Sequence, residues 1–333
     1  MKNKFIKTIV LIFVFSLLVS LLLSSCDFSI PINSESSSLS VIKTESSIAS
    51  ENTSSSNASS VAASPIASEP EDTSSEASSG AESESEESKV ILTPPPKQDT
   101  ALHGLSVKEC NDFFHGSIFI GDSFMEGFKT RYQSKISNMP DYFGKITLLA
   151  TRNFGFANSH VTMAEGKKTY HPVYNGEQRY VWEVVGEVKP PRVFIMLGLN
   201  DLAGKDGPNY AFKNMTKLID KIKAASPETD IVMLSTSYYT KEGEVPSNYR
   251  TNEIYRAWNE RVLTYCNQNG YDYIDLADSM VDEEGYLKSE YAGPDGLHLK
   301  ATQYYDIWLD YLRGYAADKI LNQYVNIETM LWK

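Results

Sequence analysis

A three-layer α/β domain, with a five-stranded parallel sheet doubly wound by helices on both faces, is the fold that residues 101–333 predict. Three observations predict it. Five short runs rich in Ile, Val, Leu and Phe end abruptly in polar or Gly residues, as strands buried on both faces do. Amphipathic stretches of helical length lie between the runs. Strand and helix therefore alternate, and that order belongs to a single parallel sheet with crossover helices.

The first run, Ser117–Ile120, leads into a helical pattern at Phe124–Ser137, and the second, Ile146–Ala150, into a longer interruption. Within it, Asn175-Gly176 between Val173 and Tyr180 predicts a hairpin turn, and a short helix is expected around Trp182–Glu187. The third run, Arg192–Leu197, precedes a helix at Tyr210–Ala225; the fourth, Asp230–Thr236, a helix at Thr251–Asn269; the fifth, Tyr271–Asp275, a helix at Ala301–Ala316. The arrangement expected is flavodoxin-like.

The first hundred residues have another character. Lys2, Lys4 and Lys7 precede an apolar run from Ile9 to Leu23 that meets Ser24-Ser25-Cys26, so residues 1–25 are expected to be a secretory signal peptide. The "LSSC" stretch resembles the lipobox of bacterial lipoproteins, which implies that Cys26 is lipidated after cleavage. The competing reading is an uncleaved anchor, for which the apolar run is barely long enough. Residues 26–100, mostly Ser, Glu, Ala and Thr and closed by "LTPPPK", lack the apolar surface to offset ordering and are expected to be a disordered tether. A glycosylated stalk is the alternative; the lipobox favours a tether.

Between residues 27 and 89 twelve acidic residues face only Lys43 and Lys89, so most of the net charge of −12 belongs to the tether. The folded part is mildly acidic and has no basic stripe, which argues against a nucleic-acid partner. Apart from Cys26 there are only Cys110 and Cys266. One disulfide between them is open after export; two buried free thiols are favoured. No Cys/His spacing suggests a metal, "DEEG" at 282–285 lacks the rhythm of a calcium loop, and no cofactor is expected.

In an open α/β sheet, ligands bind beyond the carboxyl ends of the strands, where loops diverge and helix N-termini point into the crevice. "GDS" (121–123) follows the first strand, "NFG" (153–155) the second, "GLND" (198–201) the third, and "PDGLH" (294–298) precedes the last helix. All four are expected at one crevice. Asp122 or Ser123 could merely cap a helix, and Asn200-Asp201 could merely turn the chain. Together, though, Ser123 supplies a hydroxyl, His298 an imidazole, and Asp295, three residues earlier in a Gly-rich turn, a carboxylate to orient it. That set activates a hydroxyl nucleophile. The N–H groups of Ser123 and Gly155 and the amide of Asn200 are candidate donors for an oxyanion. Asp201 is expected to serve its own turn, His115 to lie at the opposite edge, and His160 and His171 to be surface or rim residues.

These blocks resemble the SGNH hydrolases, also called GDSL esterases and lipases, in the right order across roughly residues 116–316. The resemblance implies Ser123 as nucleophile, Asn200 as oxyanion donor, and Asp295 and His298 as the acid and base of the triad. Gly155 is placed only by its position after the second strand. Phe124, where many members have Leu, is expected to line the pocket wall.

The function expected is a lipid-anchored, extracytoplasmic serine esterase removing short acyl groups, acetyl foremost, from a cell-surface or wall carbohydrate, with no membrane contact beyond the anchor. The carbohydrate follows from location alone. The alternatives are an O-acetyltransferase on the same fold and a catalytically silent polysaccharide-binding or assembly lipoprotein. A long-chain lipase is disfavoured because the insertion near Tyr170–Tyr180 is too polar for a lid. Oligomeric state is not legible.

Overall fold

The five apolar runs become the five strands of one parallel sheet in the computed structural model, which describes residues 97–164 and 169–328. Strand β1 (Ile118–Gly121) is an interior strand and wholly buried, and is flanked by β2 (Thr147–Ala150) in register Gly121 to Ala150. The hairpin strands β3 (Val173–Tyr174) and β4 (Glu177–Gln178) form a separate ribbon, with Asn175 and Gly176 both at positive φ as its tight turn requires. Strands β5 (Arg192–Met196), β6 (Asp230–Leu234) and β7 (Asp272–Ile274) complete the sheet in the order β2-β1-β5-β6-β7. The chain reverses direction across the sheet between β1 and β5, and that switch point is where the crevice opens.

Right-handed crossovers dictate the layers. Helix α1 (Val107–Asp112), α2 (Ser123–Ile136) and α6 (Asp306–Ile320) share one face, with α1 packed on α6 and α2 beside the turn that precedes α6. Helices α3 (Val181–Val188), α4 (Gly207–Ala225) and α5 (Asn252–Asn269) cover the other. The core on the first face is aromatic: Phe119 stacks on Phe194 at 4.3 Å between centroids, and Phe114 and Phe143 meet at the same distance. Cys110 on α1 and Cys266 on α5 are buried free thiols on opposite faces of the sheet, too far around it to pair.

Three departures from the sequence reading have local causes. Helix α1 was not expected, although Ser106 and Glu109 form a complete capping box. Helix α4 starts at Gly207, three residues early, because Pro208 in its first turn has no N–H to satisfy. The last helix begins only at Asp306: Thr302–Tyr305 is a 3₁₀ turn pressed on α2, where a Cβ on Gly127 would meet the Tyr305 hydroxyl. Its carboxylate, Asp306, is taken by Arg131 and Tyr142.

Residues 98–100, which the sequence placed in the tether, pack on the fold. Gln98 is buried, its side-chain oxygen accepting from the Asp275 N–H at 3.3 Å while its amide donates to Tyr324. The expected signal peptide, the expected lipidation site Cys26 and residues 26–96 of the expected tether lie outside the described residues. Among the described residues, no helix is long and apolar enough to cross a membrane.

Candidate active site

The turn after β1 is tight because Gly121 has no side chain: a Cβ there would lie 2.3 Å from Cβ of Met125. That closeness lets α2 begin at once. Asp122 caps it, one carboxylate oxygen accepting from the Phe124 N–H at 3.0 Å. Burial pushes the Asp122 carboxyl up to about 7. Ser123 is then the first residue of the helix, partly exposed at the strand's carboxyl end.

Ser123 Oγ lies 2.8 Å from His298 Nε2, and His298 Nδ1 lies 2.6 Å from Asp295 Oδ2. A carboxylate can only accept, so Nδ1 carries the hydrogen and Nε2 is left to accept from Ser123. The loop holding the pair is a small hairpin. Ala292 bridges Leu299, and the Gly293 N–H donates to the His298 carbonyl at 2.6 Å. Gly296 turns it at φ +66°. The second oxygen of Asp295 accepts from the N–H groups of Leu297 and His298 at 3.1 and 3.0 Å. Burial alone would raise the Asp295 carboxyl, but the bond from the His298 ring and these two N–H groups outweigh it and hold it below the usual range.

Phe124 does not line the pocket. It is 1 % exposed and lies flat against the His298 ring, 5.1 Å between centroids and 19° from parallel, with Trp308 behind it. The helix that carries Ser123 turns its next side chain inward, under the imidazole.

Asn200 sits exposed beyond β5 and donates one amide hydrogen to the Phe154 carbonyl at 3.0 Å, which leaves a second for the crevice. Asp201 does more than turn its own chain. Its two carboxylate oxygens accept from the N–H groups of Phe156 and Ala157, each at 2.9 Å, and so clamp the loop after β2 to the loop after β5. Burial raises its carboxyl. A Cβ on Gly155 would lie 2.6 Å from an Asp201 oxygen, so this clamp needs glycine there. No described residue accepts the N–H of Ser123 or of Gly155.

A cavity of about 670 Å³ opens over Ser123 and His298. Asn153, Asn200, Thr130 and Asp295 line it, together with an ion pair that sequence reasoning missed, Arg152 to Glu126 at 2.8 Å. Gly155 is not in that lining; Asn153, two residues earlier and at positive φ, is. The remaining histidines are elsewhere. His115 is exposed before β1, His103 sits between Asp99 and Asp318, and His160 bonds the Asn214 carbonyl. His171, expected at the surface or the rim, is 1 % exposed, its Nε2 bonding the Val161 carbonyl at 2.7 Å beneath Tyr180.

Solved structures with a similar course of chain include a GDSL-like lipase from Bacteroides thetaiotaomicron, 19% identical over 61% of this chain and 88% of its own, with a TM-score of 0.42. A carbohydrate acetylesterase from Sinorhizobium meliloti is 15% identical over 62% of this chain and 99% of its own, with a TM-score of 0.41. The periplasmic domain of a lipopolysaccharide acetyltransferase from Salmonella ser. Paratyphi A is 19% identical over 64% and 86%, with a TM-score of 0.40. No curated protein matches the chain. The model of the GDSL-like lipase/acylhydrolase family matches residues 119–304, more than half of the sequence and every one of the four motifs at the crevice, and the chain belongs to that family.

Proposed function

We propose that this chain is a serine esterase that removes short acyl groups, acetyl foremost, from a carbohydrate outside the cytoplasm, held at the membrane by lipid on Cys26. The observation that carries the reading is the unbroken chain of short contacts from Ser123 through His298 to Asp295. Ser123 Oγ attacks the ester carbonyl as His298 Nε2 takes its proton. Asp295 fixes the ring and stabilises the imidazolium that forms. The N–H groups of Ser123 and Gly155 and the Asn200 amide receive the oxyanion. On collapse, His298 returns the proton to the departing sugar oxygen, and water then repeats the sequence on the acyl-enzyme.

The lining of the cavity supports a short acyl group. Its wall is about evenly polar and apolar, and Leu299 and Tyr305 are the large apolar-bodied side chains in it. A long acyl chain would gain little there. The acidic, Ser-rich composition before residue 97 supports a surface glycan: as the tether that composition predicts, about 60 residues would span on the order of 45 Å, enough to reach an immobile polymer from the membrane. The experiment is turnover of phenyl acetate and phenyl octanoate by the full-length protein, with labelled palmitate incorporation compared before and after Cys26→Ala. Acetyl preference and Cys26-dependent label are expected; faster octanoate cleavage would overturn the short-acyl reading.

A further inference from the structure

The loop that carries Asp295 and His298 has two faces, and each faces a cavity. On one side are His298 and Leu299, in the wall of the cavity over Ser123. On the other are Gly293, Pro294 and Gly296, in the wall of a second cavity of about 390 Å³. Asp295 lines both. The hairpin is thus a thin partition, pinned from behind where the Thr240 N–H donates to the Gly296 carbonyl at 2.7 Å and where a Cβ on Gly296 would lie 2.6 Å from Cα of Gly243. Its top is open: the side chains of Asp295 and His298 are 54% and 43% exposed, so a ligand can lie across them.

We propose that the second cavity is a glycan subsite, filled by a neutral sugar unit next to the acylated one. The substrate is then an oligo- or polysaccharide, and an isolated acylated sugar is a poor one. The proposal rests on the esterase reading above. The chemistry of the wall selects the ligand. Its lining has no Lys or Arg to pair with phosphate or carboxylate, and Glu242 and Asp295 repel anions. Its apolar side chains are short, Val245, Ala292 and Pro294, too little surface for an acyl chain. What remains are the exposed Ser289 hydroxyl and the carboxylate oxygens of Glu242 and Asp295, because Thr240 is buried and its hydroxyl accepts from the Gly243 N–H at 3.1 Å. Such a wall suits a ring bearing hydroxyl groups, each able to donate and accept. The volume is at the lower end of the range for small-ligand pockets.

The test compares full-length wild type with Ser289→Trp and Val245→Trp. Both positions line the second cavity, lie outside the catalytic set and are exposed. Substrates are phenyl acetate and a neutral O-acetylated sugar as monomer, dimer and tetramer. In wild type, kcat/KM per acetyl group should rise at least about tenfold from monomer to tetramer, mostly through KM, as expected of binding energy made away from the reacting atoms. The two variants should lose that rise and keep phenyl acetate turnover within about twofold. A rise that persists in both variants overturns the subsite. So does wild-type turnover of phenyl acetate with no gain on lengthening the sugar, which sinks the subsite and spares the esterase. Wild type inert towards phenyl acetate sinks both.

Discussion

The inner and outer sides of the crevice use the same residue type in opposite ways. On the inner side, at the ends of β1 and β5, Asp122 and Asp201 are 1% and 9% exposed, burial raises both carboxyls, and every oxygen contact they make is to a backbone N–H. On the outer side, Asp295 is half exposed, its carboxyl is held below the usual range, and it accepts from an imidazole as well as from backbone. The buried acids hold the shape of two loops. The open one holds its charge, which is what an imidazolium forming beside it requires. If that division is right, changes on each side should separate rate from stability in different proportions.

The largest effect belongs to Ser123→Ala, which should lower kcat/KM for phenyl acetate by roughly 10⁴-fold or more, leaving what the oxyanion donors supply, with little change in melting temperature. A variant with wild-type rates would move the nucleophile elsewhere. Asn200→Ala comes next. A donor that acts mainly in the transition state should cost about 10²–10³ in kcat with KM nearly unchanged. A raised KM at constant kcat would make Asn200 a ground-state binder instead.

Phe124→Leu sharpens the boundary between the two sides, because Phe124 is buried with the scaffold yet touches the base. Losing the stacked face should cost about 0.5–1.5 kcal/mol beyond packing and lower kcat a few-fold to tenfold at nearly constant KM, because the imidazole loses the ring that fixes its plane. A lower melting temperature with kcat unchanged would reduce Phe124 to core packing.

The smallest effect concerns stability. Asp275, at the end of β7, is raised from an ordinary 3.8 to about 7, by burial first and by neighbouring Asp278 second. A carboxyl raised on folding contributes stability that is full below about pH 4 and lost as pH climbs through 7. Melting temperature should therefore fall between about pH 4 and 7 and level off above, and Asp275→Asn should flatten that slope while keeping an acceptor for the Asp278 N–H. An unchanged slope would assign the pH dependence to other groups, Asp122 first among them.

The same division explains what was legible in the sequence. Buried parallel strands are apolar runs, so all five were visible to within one or two residues; a place just after a strand brought Ser123 and Asn200 to the crevice, and a place before the last helix brought Asp295 and His298 there. Contacts between loops leave no such trace. Asp201 reaches residues 156 and 157, and Arg152 reaches Glu126, across intervals with no periodicity to read. Phe124 was misplaced for a similar reason: which way a first-turn side chain points depends on the angle at which α2 leaves β1, and the packing of Trp308 and His298 settles it. His171 looked like a rim residue because its hairpin is polar in composition, yet Tyr180 folds over it.

The central claim, that Ser123 is a nucleophile activated through His298 and Asp295, is tested most directly by the intact mass of the full-length protein after treatment with a fluorophosphonate. The account predicts a single adduct on the peptide containing Ser123, formed slowly or not at all in His298→Ala and absent in Ser123→Ala. An unlabelled wild type, or a label on any other serine, would contradict it.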